Sequence, residues 1–465
     1  MKRLAVVVLI LWSLAPPGQQ ATDRSTPDWG AVDGVFERFD RSDTPGCALG
    51  VVQDGELVYA RGYGLANLEL GVAITPQSVF RTGSVSKQFT AAAVAIAARE
   101  GALSLDDPVR RWIPTLPVYP VEPTVRHLVH HTSGVRDYLV LMGLRGLRDD
   151  DFYTDAEVLD VLSRQRELNF TPGAEYLYSN SGYFLLGKVI LAATGESLRE
   201  YAQEKIFTPL GMRHTHFHDD HNHIVPNRAM GYAPSDGGFR TAVTTLDMVG
   251  DGGVFTSIED LMLWVNALQD NTLAGGLTGM LETRGTLNDG ETIPYAFGQT
   301  HGEYRGLSTV GHGGSFVGYR ADITRFPEQS TAIMTLCNRA DAAPGGLARR
   351  VADAVLADEL GPAPEAGDRR DRPDSESPEP GPVASVDDYV GSYYSEELDV
   401  VYTLSRDGEA LRLRAGQGID GELRRTDDDV LVLGGLTLRF ERQDGRVTGF
   451  EVDAGRVQHL GFVRR

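Results

Sequence analysis

The run Arg81-Thr82-Gly83-Ser84-Val85-Ser86-Lys87 puts a hydroxyl and an amine three residues apart, just ahead of an apolar segment ending near Glu100. That segment reads as a helix, and at its start positions i and i+3 share a face, so the Lys87 amine reaches the Ser84 hydroxyl. The pair is a nucleophile beside a proton acceptor, and the partial positive charge of a helix start steadies negative charge developing there. Ser86 diverges around the helix and cannot serve Lys87 in the same way. A lone Ser-x-x-Lys is common by chance, so its weight depends on what else the chain supplies. Tyr178 and Asn180, in the run Tyr178-Ser179-Asn180, offer a phenolate base stabilised by a nearby ammonium and an amide to hold substrate. His312-Gly313-Gly314-Ser315 offers a strand whose glycines let substrate approach the backbone.

These residues need elements to hold them. Cys47 to Val52 and Leu57 to Tyr63 read as a hairpin across Gln53-Asp54-Gly55, and Thr309–Gly313, Gly318–Phe326 and Thr331–Cys337 as three further strands. Helical spacing fills much of the middle, from Ala156 to Glu200 and from Ile258 to Leu268, and returns from Gly346 to Leu360. Two strands early and three late predict an α+β domain whose five-stranded antiparallel sheet is assembled from both ends, flanked by helices, with a helical subdomain inserted. Proline, glycine and acidic residues dominate 361–384, which reads as a linker. From 385 to 465 short alternating strands, with turns at Asp407-Gly408 and Asp444-Gly445, predict a small all-β barrel or sandwich.

The 465 residues carry a formal charge of −21, which argues against nucleic acid or an anionic membrane as partner. Met1-Lys2-Arg3 followed by the apolar run Leu4 to Ala15 reads as a secretory signal ending near residue 21, too short for a comfortable membrane span, although Gln19 stands where cleavage prefers a small residue and leaves an uncleaved anchor as the alternative. The expectation is therefore an exported chain, periplasmic or secreted, with its first domain over 22–360. Cys47 and Cys337 lie in apolar runs and read as small buried hydrophobes in preference to a bridge. His130 and His131, at a helix end without a spaced carboxylate, read as structural. His214, His216, His218, His221 and His223, with Asp219 and Asp220, superficially match a metallo-hydrolase run. Their order differs and distant ligands are missing, so they read as an exposed loop and no metal is assigned.

Taken in order, Ser84-x-x-Lys87, Tyr178-x-Asn180 and His312-x-Gly314 resemble the three motifs of the penicillin-recognising serine hydrolases. The likeness is nearest to the class C β-lactamase-like branch, which includes D-Ala-D-Ala carboxypeptidases, D-aminopeptidases and related esterases. His131-Thr132-Ser133-Gly134, Leu105-Asp106-Asp107-Pro108, Pro209-Leu210-Gly211-Met212 and Asn227-Arg228-Ala229-Met230-Gly231-Tyr232 support it, and the resemblance covers roughly 29–358. The tail resembles the lipocalin-like barrel appended to such hydrolases. The resemblance implies that Ser84 attacks a carbonyl while Lys87 and Tyr178 share the proton transfers. Asn180 would bind the substrate amide, Gly313 and Gly314 would line the substrate strand, and the backbone N–H groups of Ser84 and Ser315 would form the oxyanion hole. No cofactor is implied, and the implied substrate is a small peptide, amide or ester. The pattern departs at the third motif, where His312 and Gly313 replace the usual lysine and threonine. That loss weakens carboxylate capture and favours a D-amino-acid peptidase or esterase over a dedicated β-lactamase.

Three other readings compete. An α/β-hydrolase requires Gly-x-Ser-x-Gly, which the chain lacks. A metal hydrolase rests on the 214–223 histidines alone. An inactive binding or scaffold protein on the same fold is opposed by the presence of every required chemical group.

Overall fold

The computed structural model describes residues 26–148, 151–363, 383 and 386–465. The expected leader, residues 1–21, and most of the expected linker, 361–384, lie outside the described residues. The N-terminal sheet contains β1 (Cys47–Gln53), β2 (Glu56–Tyr63), β3 (Thr300–Tyr304), β4 (Leu307–Phe316), β5 (Tyr319–Phe326) and β6 (Thr331–Cys337). Its order is β3-β4-β5-β6-β1-β2, every pair antiparallel. Both chain ends do meet in one sheet, through the β1–β6 pair. The sheet has six strands where the sequence predicts five. The additional one, Thr300-His301-Gly302-Glu303-Tyr304, is a largely exposed edge strand without a buried face, so it carries no apolar alternation to be read.

Period-two alternation on β1 decides which layer each side chain joins. Cys47, Leu49 and Val51 pack with Val32, Phe36, Ile333 and Val351, beneath α1 (Trp29–Val35) and α6 (Pro344–Val355). Ala48 and Val52 face the other way, into the core formed with α2 (Lys87–Arg99) and α5 (Ile258–Gln269). Helix α2 is buried continuously from Lys87 to Ala97. That explains a sequence apolar nearly all round, as expected of a helix enclosed by others. Beyond it lie α3 (Tyr138–Leu144) and α4 (Asn180–Thr194), the latter ended by Gly195 at φ 81°.

Cys47 and Cys337 are directly opposite in the β1–β6 register and form a disulfide. This corrects the expectation of two separate thiols. Their strands are 290 residues apart in sequence, so the pairing register that aligns them was hidden from local reading.

The C-terminal unit is a closed antiparallel barrel of eight strands: β7 (Gly391–Ser395), β8 (Val400–Asp407), β9 (Ala410–Ala415), β10 (Ile419–Asp427), β11 (Val430–Leu433), β12 (Leu436–Gln443), β13 (Arg446–Ala454) and β14 (Val457–Arg464). Pairing of β7 with β14 closes it and removes free edges. Tyr393, Tyr402, Phe450 and Phe462 fill the interior. The barrel is docked, not tethered loosely. Arg136, buried in the hydrolase domain, donates to the barrel carbonyls of Gln458 at 3.1 Å and His459 at 2.9 Å and pairs with Glu397 at 2.9 Å. Tyr402 donates to the Leu144 carbonyl at 2.7 Å. Among the described residues no helix is long and apolar enough to cross a membrane.

Candidate active site

Ser84 lies on a short 3-10 turn, Gly83–Ser86, between the two-residue strand Phe80–Arg81 and α2. The helix proper therefore begins at Lys87, one turn later than the sequence spacing implies. Strand β4 presses against this turn. A Cβ on Gly314 would lie 1.9 Å from the Thr82 carbonyl oxygen, and one on Gly83, itself at φ 53°, would lie 2.8 Å from the Ser315 nitrogen. Two glycines thus permit the close approach of the Ser84 and Ser315 backbones. Ser86 faces the opposite way, its hydroxyl accepting from the Val254 amide at 3.0 Å.

Lys87 is fully buried and spends its donors on three partners: Ser84 Oγ at 3.2 Å, Asn180 Oδ1 at 2.8 Å and the Asp251 carbonyl at 2.6 Å. Burial pushes its pKa down to about 8, against upward pulls from Asp251 and Asp137. Asn180 is fixed in turn: its amide nitrogen and its Nδ2 both donate to Asp137 Oδ2, at 2.8 and 2.9 Å. Asp137 also caps α3 by accepting from Leu139 and Val140. One carboxylate therefore sets the start of α3 and the start of α4, and through Asn180 the ammonium.

Tyr178 packs its ring 4.1 Å from His131 and 4.8 Å from Lys87 Nζ. Its hydroxyl is buried and meets no partner at full hydrogen-bond geometry. Burial holds its pKa above the usual phenol range, outweighing downward pulls from the Ser84 hydroxyl and Arg456. The phenolate expected from sequence is thus not the resting form, because desolvation of the anion exceeds the help from nearby cations. His131, at φ 59°, accepts the Ser179 amide on Nδ1 at 3.1 Å, and burial followed by Lys87 holds its pKa well below the usual range. It is a neutral wedge beneath Tyr178. His312 stands at the wall of the cleft with Nε2 3.1 Å from the Tyr295 hydroxyl, and burial then Lys87 lower its pKa to about 4. Strand β4 therefore contributes no charge at neutral pH.

Two cavities flank Ser84. One is small and narrow, lined by Tyr138, Leu139, Leu246, Met248 and Phe316 together with Asn180 and Ser315. The other is an open cleft of about 620 Å³, lined by Tyr178, His312, Gly313, Gly314 and, from the barrel, Arg456. Every residue expected at the site from sequence lies around these two spaces or bonds to one that does. Asp137, Asp251, His131, Tyr295 and Arg456 were missed as members. Of these only His131 stood in a stretch singled out by the sequence.

The 214–223 histidines lie apart from this constellation. His218 is buried and His216 half-buried on the short strand His216–Phe217, with His216 Nε2 3.2 Å from His218 Nδ1. Burial lowers their pKa values to about 4 for His216 and about 3 for His218. The expected exposed loop is therefore partly a packed element, stacked on Phe255. Among the described residues no group of His, Cys, Asp or Glu has metal-holding geometry.

A family model described as Beta-lactamase matches residues 32–358. The chain belongs to the β-lactamase family. Within it the chain is 30% identical over 327 residues to a D-aminopeptidase of Gluconobacter oxydans (strain 621H), covering 70% of this chain and 61% of that relative. A D-aminopeptidase of Cereibacter sphaeroides (strain ATCC 17023) is 27% identical over 403 residues, 85% of this chain and 72% of the relative. The chain spans about three fifths of the length of the first of these relatives. In fold it is similar to the octameric penicillin-binding protein homologue from Pyrococcus abyssi, TM-score 0.64 at 24% identity, covering 94% of this chain and 100% of that one. The D-amino acid amidase from Ochrobactrum anthropi SV3, in complex with L-phenylalanine, matches with TM-score 0.61 at 22% identity over 71% of this chain and 99% of that one.

Proposed function

We propose that this β-lactamase-family chain is a serine amidohydrolase that forms an acyl-enzyme on Ser84 from peptides, amides or esters of D-amino acids. The observation that carries the reading is the buried Lys87 amine bonded to both Ser84 Oγ and Asn180 Oδ1, with its pKa lowered to about 8. A neutral Lys87 amine accepts the Ser84 proton as Oγ bonds to the substrate carbonyl carbon. The oxyanion sits against the Ser84 and Ser315 amides, where one donor is worth about 2.7–4 kcal/mol. As the carbonyl–nitrogen bond breaks, the proton on Lys87, relayed by the protonated Tyr178 hydroxyl, goes to the departing amine. Water then attacks the ester, Lys87 again taking its proton and passing it to Ser84 Oγ as the acyl–oxygen bond breaks, so that the acid leaves and the Ser84 hydroxyl is restored.

The D-amino-acid acyl group is supported by the D-aminopeptidases among the relatives. The small cavity beside Ser84 suits the acyl side chain, because the departing group needs the open side. Strand β4 itself offers a penicillin or cephalosporin carboxylate neither cation nor hydroxyl, because His312 is neutral and Gly313 has no side chain. Export is supported by the basic and apolar run at residues 1–15 and by the disulfide, a bond of oxidising compartments. Intact-mass spectrometry after a fluorophosphonate, with wild type and Ser84→Ala, tests the acyl-enzyme: the expected result is one adduct, absent from the variant. A panel of D- and L-alanyl p-nitroanilides, p-nitrophenyl esters and a chromogenic cephalosporin tests the substrate class. Faster turnover of the L-anilide or of the cephalosporin than of the D-anilide would refute it.

A further inference from the structure

The cleft on the leaving-group side of Ser84 lacks a cation from the hydrolase domain in the place where strand β4 presents His312 and Gly313. Lys87 is enclosed and its donors are occupied. Arg320, a hydrolase-domain cation on the same cleft wall, donates through NH1 to the carbonyls of Val317 and Tyr319 and has no aromatic ring beneath it among the described residues, so it is the rival that the experiment below separates. Asp322 accepts from the Thr324 hydroxyl while burial raises its pKa to about 6.

The barrel supplies what the strand does not. Arg456 occupies the turn between β13 and β14, and its guanidinium carbon lies 4.7 Å from the centre of the Tyr178 ring. The turn is clamped onto the hydrolase domain: the Arg456 carbonyl accepts from Asn169 Nδ2 at 2.9 Å, and Asn169 Oδ1 accepts from the Gln458 amide at 2.9 Å. Its side chain is 44% exposed, and NH1 makes one long contact, 3.5 Å, with an Asp137 oxygen already shared with Asn180. Among the described residues Nε and NH2 have no hydrogen-bond partner. A planar guanidinium with free donors, stacked on an aromatic ring at the mouth of a cleft, is suited to bidentate capture of a carboxylate.

We propose that Arg456 is a specificity-determining residue that binds a carboxylate on the departing portion of the substrate, directing the enzyme toward short peptides with a free C-terminus. This rests on the assignment of Ser84 as acyl acceptor and deepens the D-amino-acid reading. The neutral strand β4 and the barrel cation are then two halves of one arrangement: the anion site of the cleft has moved from the sheet to the second domain. The barrel is thereby a part of the substrate site. A departing group that is neutral gains nothing from Arg456, and one that is cationic is repelled.

The experiment uses the full chain. For wild type, Arg456→Ala, Arg456→Lys and Arg320→Ala, kcat/KM is measured on D-Ala-D-Ala and on D-alanine p-nitroanilide, which differ in the carboxylate of the departing group. The expected result is a fall of tenfold or more in the D-Ala-D-Ala to anilide ratio for Arg456→Ala, carried mainly by KM, with partial recovery in Arg456→Lys. An equal loss on both substrates would assign Arg456 to supporting Tyr178, and a ratio that falls in Arg320→Ala instead would place the carboxylate on Arg320; either overturns the proposal. A second arm remains informative if neither D-substrate is turned over, an outcome that would refute the D-peptidase reading by itself. There, N-acetyl-D-alanine is used as a competitive inhibitor of p-nitrophenyl acetate hydrolysis. A Ki raised tenfold or more by Arg456→Ala supports the carboxylate site, and an unchanged Ki overturns it.

Discussion

Lys87 offers a prediction whose size follows from its surroundings. Burial takes its pKa from the usual 10.5 to about 8, which at about 1.4 kcal/mol per pH unit corresponds to about 3 kcal/mol in favour of the neutral amine. At pH 7 about one molecule in ten then carries a ready base, against about one in three thousand for an unburied lysine. The initial burst of p-nitrophenol from p-nitrophenyl acetate reports acylation of Ser84. Its rate is expected to rise tenfold per pH unit below an inflection near 8 and to level above it. Lys87→Gln is expected to lose about 10²–10⁴-fold, the usual worth of a general base, and to lose the inflection. The same burial has a stability consequence of definite sign. Between about pH 8 and 10.5 the unfolded chain holds the lysine proton and the folded chain has released it, so folding stability attributable to Lys87 increases with pH across that window. Relative to Lys87→Met, the wild-type unfolding free energy should gain about 3 kcal/mol from pH 8 to 10.5. An acylation rate still climbing beyond pH 10, or an inflection near 8 that persists in Lys87→Gln, would refute the assignment of Lys87 as the base.

Other perturbations probe the supports of the site. Gly314→Ala would drive a methyl to within 1.9 Å of the Thr82 carbonyl oxygen; the β4 contact with the Ser84 turn should open, and fluorophosphonate labelling should slow at least tenfold while the near-ultraviolet circular dichroism of the barrel tyrosines is retained. Replacing Cys47 and Cys337 together by alanine should lower the unfolding free energy by about 2–5 kcal/mol, measured in urea under non-reducing conditions. Glu397→Gln leaves the Arg136 guanidinium, 1% exposed, without its carboxylate; removing one member of such a pair costs about 3–5 kcal/mol, and limited proteolysis should then release the barrel at protease levels that leave wild type intact.

The parts of the site that could be read from the chain are those in which chemistry and spacing are local. Ser84 and Lys87 are one turn apart, Tyr178 and Asn180 two residues apart, and His312 leads the glycines of its own strand. The parts that could not be read are brought in from a distance by packing. Asp137 bonds Asn180 across 43 residues and Asp251 receives Lys87 across 164, and neither lies in a recognisable run. Arg456 acts through a docking geometry that no pattern in the tail encodes. The sheet shows the same division: strands with a buried face announced themselves, whereas exposed edge strand β3 did not. Charge state was the least legible property. The Tyr178 phenol is protonated because burial outweighs its cationic neighbours, a balance that depends on the folded surroundings of all of them.

Arg136 also sets a timetable. Its guanidinium is buried at the domain junction, yet the Gln458 carbonyl it bonds is 322 residues further along the chain. At synthesis rates of roughly 5–20 residues per second, the two are made on the order of 15–60 s apart. Once α6 has completed the hydrolase domain, Arg136 stays an uncovered cation until the last barrel strand is made, with Gln165 at 3.1 Å as its hydrogen-bond partner within the domain. The surface that receives the barrel is thus unfinished until the partner strand arrives. The nascent hydrolase domain, though it holds Ser84 and Lys87 from early on, reaches its full stability late.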